Sequence, residues 1–318
     1  MNKLPLANKF QMHYYFNDDS HSMDALVRNR CEAEIISIIT DISNLLDENV
    51  LIEREAYREG GLRDIWKLAN DNAGALTVII GLATLIIPYL PKPESELELM
   101  QKEDLRLSIE ERKLNIKQLK AEIRTESVKT KTIEKVAEIV SYDYKIVTRK
   151  SNLYKHLNNY NKVTKFGVNG LYSHGEEVFP ELQVPRSEFN RFILNSNMLP
   201  VKTVDEAIIE IVSPVLKQGN YKWKGIFEGS LISFSMKDDL FKNDVLDERV
   251  SFQHGSAIKC ALNIYRKLDE IGEIVVTGYS VETVLENMNG GQVNETSQGK
   301  AYRQRRMFEK AQGDLFIT

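Results

Sequence analysis

Two cysteines in 318 residues leave no material for a disulfide framework. Cys31 and Cys260 stand far apart in the chain, each on an apparently apolar face. That spacing excludes a Cys-based zinc site and fits a reducing compartment. Histidine is equally sparse. Of the five, His13, His156, His174 and His254 are isolated, show no metal-ligand spacing and read as structural or surface side chains. Neither GxSxG nor HExxH occurs, and EGG at Glu59 to Gly61 is too short for a phosphate loop. There is no internal repeat. The start, MNKLPLANKFQMHYYF, lacks an apolar h-region and a small-residue cleavage site, so no secretory signal is expected. The formal net charge of -4 gives no global pull toward nucleic acid; any such signal has to be local. No catalytic residue, cofactor or metal is expected from these motifs.

What is present supports two or three domains, at about 100–200 residues each, with 42% hydrophobic residues to fill their cores. FQMHYYF (Phe10 to Phe16) reads as a strand. From Ser22 to Leu46, Met23, Val27, Cys31, Ile35, Ile38, Ile42 and Leu45 recur every three or four positions, one face of a helix. Val50 to Tyr57 alternates as a second strand, and Leu62 to Asn70 is expected to resume a helix. Residues 1–70 are therefore expected as a small α/β module.

Ala73 to Leu90, AGALTVIIGLATLIIPYL, contains no charge, in a chain that is 28% charged. As a helix it spans about 27 Å, close to the ~30 Å hydrocarbon core of a bilayer. It is apolar all round, with no polar stripe for water. Ala73, Thr77 and Gly81 form a small-residue stripe of the kind that lets membrane helices approach, with Leu85 and Pro88 completing the candidate segment 71–93. The alternative is a central helix buried in a monomer or an oligomer core. Pro88, Pro91 and Pro93 end the run.

Residues 94–141 are dense in charge and lack Gly and Pro, which predicts one long helix. Ile109, Ile116 and Ile123 repeat every seven; Leu105, Leu119 and Ile133 fit the partner phase, but Arg112 and Glu126 interrupt it, so the pattern points to self-association or packing on a neighbour rather than a continuous zipper. No acid occurs between Asp143 and Glu176. Lys145, Arg149, Lys150, Lys155, Lys162 and Lys165 alternate there with Tyr154, Tyr160, Phe166 and Tyr172, a composition suited to phosphates and unstacked bases. A solvated basic loop or a lipid-headgroup patch is the alternative. This stretch heads a region at 142–200. A β-rich domain follows at 201–286, an expected antiparallel sheet or barrel, then a polar tail at 287–318 with a basic cluster, YRQRR. On the first helix, Asp24, Arg28 and Glu32 share one face, with His21 three residues before. They are either an ion-pair ladder or a polar pocket at the helix N-terminus.

This layout resembles the membrane effectors of bacterial phage-defence operons, and within them the effector of the Hailong type. The resemblance is carried by Ala73 to Leu90 and by Tyr144 to Gly175. It implies an oligomeric, membrane-disrupting channel held in check by oligonucleotide DNA, at the inner membrane of a cytoplasmic protein. Two functions are thus expected, ahead of a third, an enzyme whose site would be built on Ser20 to Glu32. One is an α+β homo-oligomeric channel effector that meets a lipid membrane and is regulated by single-stranded nucleic acid or a nucleotide. The other is a soluble oligomeric nucleic-acid-binding or interaction protein with the apolar helix inside a bundle.

Overall fold

The computed structural model describes residues 6–18, 20, 22–55, 62–89, 106–125 and 128–315, with the backbone alone over 106–112 and 309–315. It divides into two compact units, Met1–Asn197 with Leu268–Glu273, and Met198–Lys267 with Ile274–Thr318.

The first unit is built on a five-stranded antiparallel sheet in the order β2-β3-β1-β4-β5. The strands are β1 (Lys9–Phe16), β2 (Leu51–Arg54), β3 (Leu62–Ala69), β4 (Val163–Leu171) and β5 (Glu177–Pro185). Alternation sets the faces. Phe10, Met12 and Tyr14 of β1 are buried toward the helices together with Trp66 and Leu68 of β3. Helix α1 (Ala25–Leu45) buries Cys31, Ile35, Ile38, Ile39 and Ile42 in that core. Leu62–Ala69 is a strand and not a helix. Its inward row is Leu62, Asp64, Trp66 and Leu68, and the acid in that row hides the period of two.

The apolar run is where expectation fails. Helix α2 covers only Ala73–Ile86, 14 residues, or about 21 Å. No helix among the described residues is long and apolar enough to cross a membrane. From Ala75 to Thr84 the run is apolar on every side because it is enclosed on every side: Val78, Ile79, Ile80, Leu82 and Ala83, with Ile86 beyond them, are fully buried in the first unit's core. Gly81 lies against the Phe179 ring, where a Cβ would come within 2.8 Å of Cζ. Gly170 of β4 makes room for Ile80 and Phe179 in the same way. Of the small-residue stripe, Gly81 serves close packing of helix on sheet, while Ala73 is exposed. Thr77 accepts a hydrogen bond from the Ala7 amide at 2.9 Å. Leu85 and Pro88 are half-buried at the lip of a groove. The transmembrane and membrane-active assignments are therefore withdrawn.

The charged stretch is not one helix either. Among its described residues, α3 (Arg106–Arg124) ends, and α4 (Thr130–Val140) begins after a break. Glu122 accepts from the Lys129 amide at 3.0 Å and from Thr132 Oγ1 at 3.1 Å, which caps α4 from outside, since Lys129 has no capping side chain. Leu119, Ile123, Ile133, Val136 and Val140 are buried in the same core as α2. Leu105, Ile109, Arg112 and Glu126 of the heptad pattern lie outside the described side chains. Helix α5 (Tyr144–Asn158) and a 3-10 turn at Arg186–Phe192 complete the unit.

The second unit is a closed five-stranded barrel. Its strands are β6 (Met198–Ser213), β7 (Trp223–Phe227), β8 (Ser230–Met236), β9 (Ala257–Leu268) and β10 (Ile274–Asn289). They run around the barrel as β6-β7-β8-β10-β9 and back to β6, with β11 (Gln292–Glu295) added to β10. The expected antiparallel sheet is corrected here: β8 and β10 are parallel, pairing Phe234 with Tyr279 and Met236 with Val281. The long β6 pairs with both β7 and β9, and register shifts along it supply the bend. Helix α6 (Asp239–Leu246) joins β8 to β9, and α7 (Ser297–Leu315) follows β11. Trp223 fills the interior beside Phe234, Phe241 and Phe252, at ring separations of 6.3, 6.3 and 5.6 Å.

Candidate functional site

The polar face of α1 acquires partners that sequence spacing does not reveal. Arg28 Nε donates to Glu32 Oε1 at 2.9 Å and to Asp64 Oδ2 at 3.0 Å. Arg54 of β2 donates to Glu32 Oε1 and Asp64 Oδ1, each at 3.0 Å. Two carboxylates thus share two guanidiniums at the joint of α1, β2 and β3. The Asp64 side chain is 1% exposed. Burial pushes both carboxyls above their usual range, and for Glu32 the neighbouring Asp64 charge adds to it. Among the described residues the hydroxyl of buried Tyr14 has no hydrogen-bond partner. Asp24 stands apart: it caps α1, accepting from the Leu26 and Val27 amides at 2.9 and 3.0 Å. His21 lies outside the described residues.

The other face of the sheet holds a cluster that sequence spacing misses. His13 and Tyr15 point to the same side of β1, and Gly167 of β4 sits opposite His13. A Cβ at 167 would collide with Glu181 Oε1. Its absence lets the Glu181 carboxylate reach across from β5 to His13 Nδ1 at 3.3 Å and to the Tyr15 hydroxyl at 3.0 Å. Gln183 donates to that hydroxyl at 2.7 Å. Burial lowers the His13 pKa and outweighs the raising effect of Glu181. Burial, then the hydrogen bond to Glu181, moves the Tyr15 phenol up to about 12.

The basic–aromatic stretch spends most of its groups inside the first unit. Lys150 is buried and donates to the Tyr89 carbonyl at 2.9 Å. Tyr154 is fully buried, stacked 3.9 Å from Phe192, with its hydroxyl on the Ile87 carbonyl. Arg149 meets Glu34 at 3.4 Å and Lys145 meets Glu273 at 3.1 Å. Lys162 donates to the Ser22 carbonyl at 2.8 Å and lies over the Phe16 ring. Lys165 lies 4.6 Å from the Tyr15 ring centroid. The Tyr160 hydroxyl accepts from the Asp24 amide at 3.3 Å. Lys155 is exposed in the last turn of α5. The lack of acids in this sequence reflects acids supplied by other elements, not a free cationic strip.

The barrel carries a more open cationic surface. The β6–β7 loop, 214–222, borders a cavity of 450 Å³ lined by Lys217, Tyr221, Trp223, Lys237 and Lys242, with Asp239 paired to Lys242 at 2.5 Å. Gly219 has φ +144°, and a Cβ there would come within 2.5 Å of the Tyr221 ring. This glycine lets the ring fold along the loop. Tyr221 is 58% exposed. On the outer side of β7 and β8, Ile226 faces Leu231 and Lys224 faces Ser233. Lys217, Lys222 and Lys224 are exposed and, among the described residues, have no side-chain hydrogen-bond or ion-pair partner. Among the described residues no group of three or more His, Cys, Asp or Glu could hold a metal. A closed Greek-key barrel of five strands, with a helix between the third and fourth, has the arrangement of the OB-fold. No family model matches the chain, and no curated protein or solved structure does.

Proposed function

We propose that the protein binds single-stranded nucleic acid through the barrel of its second unit. The observation that carries this is the coincidence of barrel order and surface chemistry. OB-type barrels bind oligonucleotides and oligosaccharides on their second and third strands and their first loop. In this chain those elements are β7, β8 and the loop 214–222, and they hold Lys217, Tyr221, Lys222, Lys224, Ile226 and Leu231 at the surface. The lysines neutralise phosphates, while the exposed Tyr221 ring offers a stacking face and the aliphatic pair an apolar one. Barrel order alone is an analogy of fold, so the reading rests on those side chains.

Fluorescence anisotropy with labelled single-stranded DNA and RNA tests it. Wild type should bind with a log Kd that rises with log salt at a slope of at least about 2, the share expected for roughly three phosphate contacts on this surface at about 0.7 each. Tyr221→Ala should weaken binding by about 1–3 kcal/mol. Lys217→Glu with Lys222→Glu should weaken it further and flatten the salt slope. Unchanged affinity in both variants would overturn the assignment to this surface.

A further inference from the structure

Helix α7 is joined to the barrel by charge rather than by apolar packing. No described apolar side chain of α7 enters the barrel core, and Met307 and Phe308 are 65% and 72% exposed. Its start is pinned: Thr296 Oγ1 donates to the Val284 carbonyl at 2.5 Å, and a Cβ at Gly299 would collide with the Leu285 backbone. Beyond that point, among the described side chains, the contacts to the barrel are ionic or polar. Arg303 engages Glu286, Glu295 at 2.7 Å and Glu206 at 3.7 Å. Arg306 meets Asp205 at 2.5 Å, and the Tyr302 hydroxyl donates to the same carboxylate at 2.6 Å. From Ser297 to Phe308 the helix holds Lys300, Arg303, Arg305 and Arg306 and no acid. Four carboxylates of the barrel, Asp205, Glu206, Glu286 and Glu295, therefore face the cationic first part of α7, chiefly Arg303 and Arg306, in pairs that are mostly part-exposed.

We propose that this face of α7 is a second nucleic-acid contact, occupied in the free protein by the barrel's own carboxylates. The proposal rests on the reading above that the partner is nucleic acid. A phosphate backbone presents the same charge to the arginines that the acidic row does, and the two compete. Part-exposed pairs of this kind are individually weak and screened by salt. Exchanging carboxylate for phosphate also releases counterions from the nucleic acid. With its start held at Thr296 and Gly299, the rest of the helix can leave the acidic row while remaining attached. Tyr302 then adds a ring beside the arginines.

The test uses the full chain and a labelled single-stranded oligonucleotide of about 20 nucleotides. Asp205→Asn with Glu286→Gln removes two of the competing charges. This variant should bind roughly fivefold or more tightly than wild type, and Arg303→Ala with Arg306→Ala should bind more weakly, with a salt slope lower by about 1.4 for two lost contacts. Equal affinity and slope in all three proteins would overturn the proposal while leaving nucleic-acid binding at the barrel face intact. If wild type binds no oligonucleotide, the function proposed above fails first. Backbone amide exchange over 300–308 between about 0.05 and 0.5 M NaCl then decides whether the ionic strap exists. Faster exchange at high salt supports it, and constant protection overturns it.

Discussion

Gly167 shows how a side chain that is absent can assemble a polar cluster. Glu181 reaches His13 and Tyr15 only because β4 has no Cβ between them. Gly167→Ala should expel the carboxylate and bring the Tyr15 phenol down from about 12 toward its ordinary value near 10, measurable by ultraviolet titration. An unmoved phenol would mean that burial alone raises it. Tyr15 and Glu181 lie 166 positions apart. For that reason His13 looks isolated in the sequence: spacing reports neighbours on one helix or strand, not across three strands. Arg28 and Glu32 were legible, being one turn apart on α1, whereas Asp64 and Arg54 come from strands and were not. Gly81 is a second decisive glycine. Gly81→Ala forces a methyl against the Phe179 ring and should cost about 1–3 kcal/mol of stability by overpacking, read from the denaturant midpoint of the first unit.

At the scale of elements, a long-range partner decides what local pattern cannot. β1 was legible because it is rich in aromatics, and α1 because most of its apolar positions recur every three or four residues, with Leu26 and Ile36 exposed off that face. β3 was misread because Asp64 stands in its buried row, satisfied by Arg28 and Arg54. α2 was misjudged for a different reason. An apolar run enclosed by protein and one enclosed by lipid have the same composition, and only the surrounding strands and helices tell them apart. The joint of α1, β2 and β3 also makes a pH prediction. Burial holds the Glu32 and Asp64 carboxyls above their usual range, so the folded unit keeps these protons to a higher pH than the unfolded chain. Between the two pKa values the folded state binds more protons, and these groups' contribution to stability falls as pH rises through that window. Glu32→Gln removes one of the titrating groups. Its drop in Tm between about pH 4 and about pH 6.5 should be smaller than that of wild type. An equal drop would place the titration elsewhere.

For the whole molecule, the division of labour differs from the one its layout suggested. The likeness to membrane effectors depends on Ala73 to Leu90 as a membrane segment, and Ala75 to Ile87 of that run belong to the first unit's core. The basic–aromatic stretch, the other element that carried it, lies within α5 and β4 and serves mainly the packing of the first unit. A barrel was one of the two forms expected for 201–286, but the parallel β8–β10 pairing was invisible in sequence because it joins segments separated by α6 and β9. Hydrogen–deuterium exchange of the whole chain, with and without a single-stranded oligonucleotide, would locate any contact without prior choice of residues. Protection should fall on 214–235, with Tyr144 to Gly175 unchanged. Protection confined to 144–175, or no protection anywhere at saturating oligonucleotide, would contradict nucleic-acid binding by the barrel.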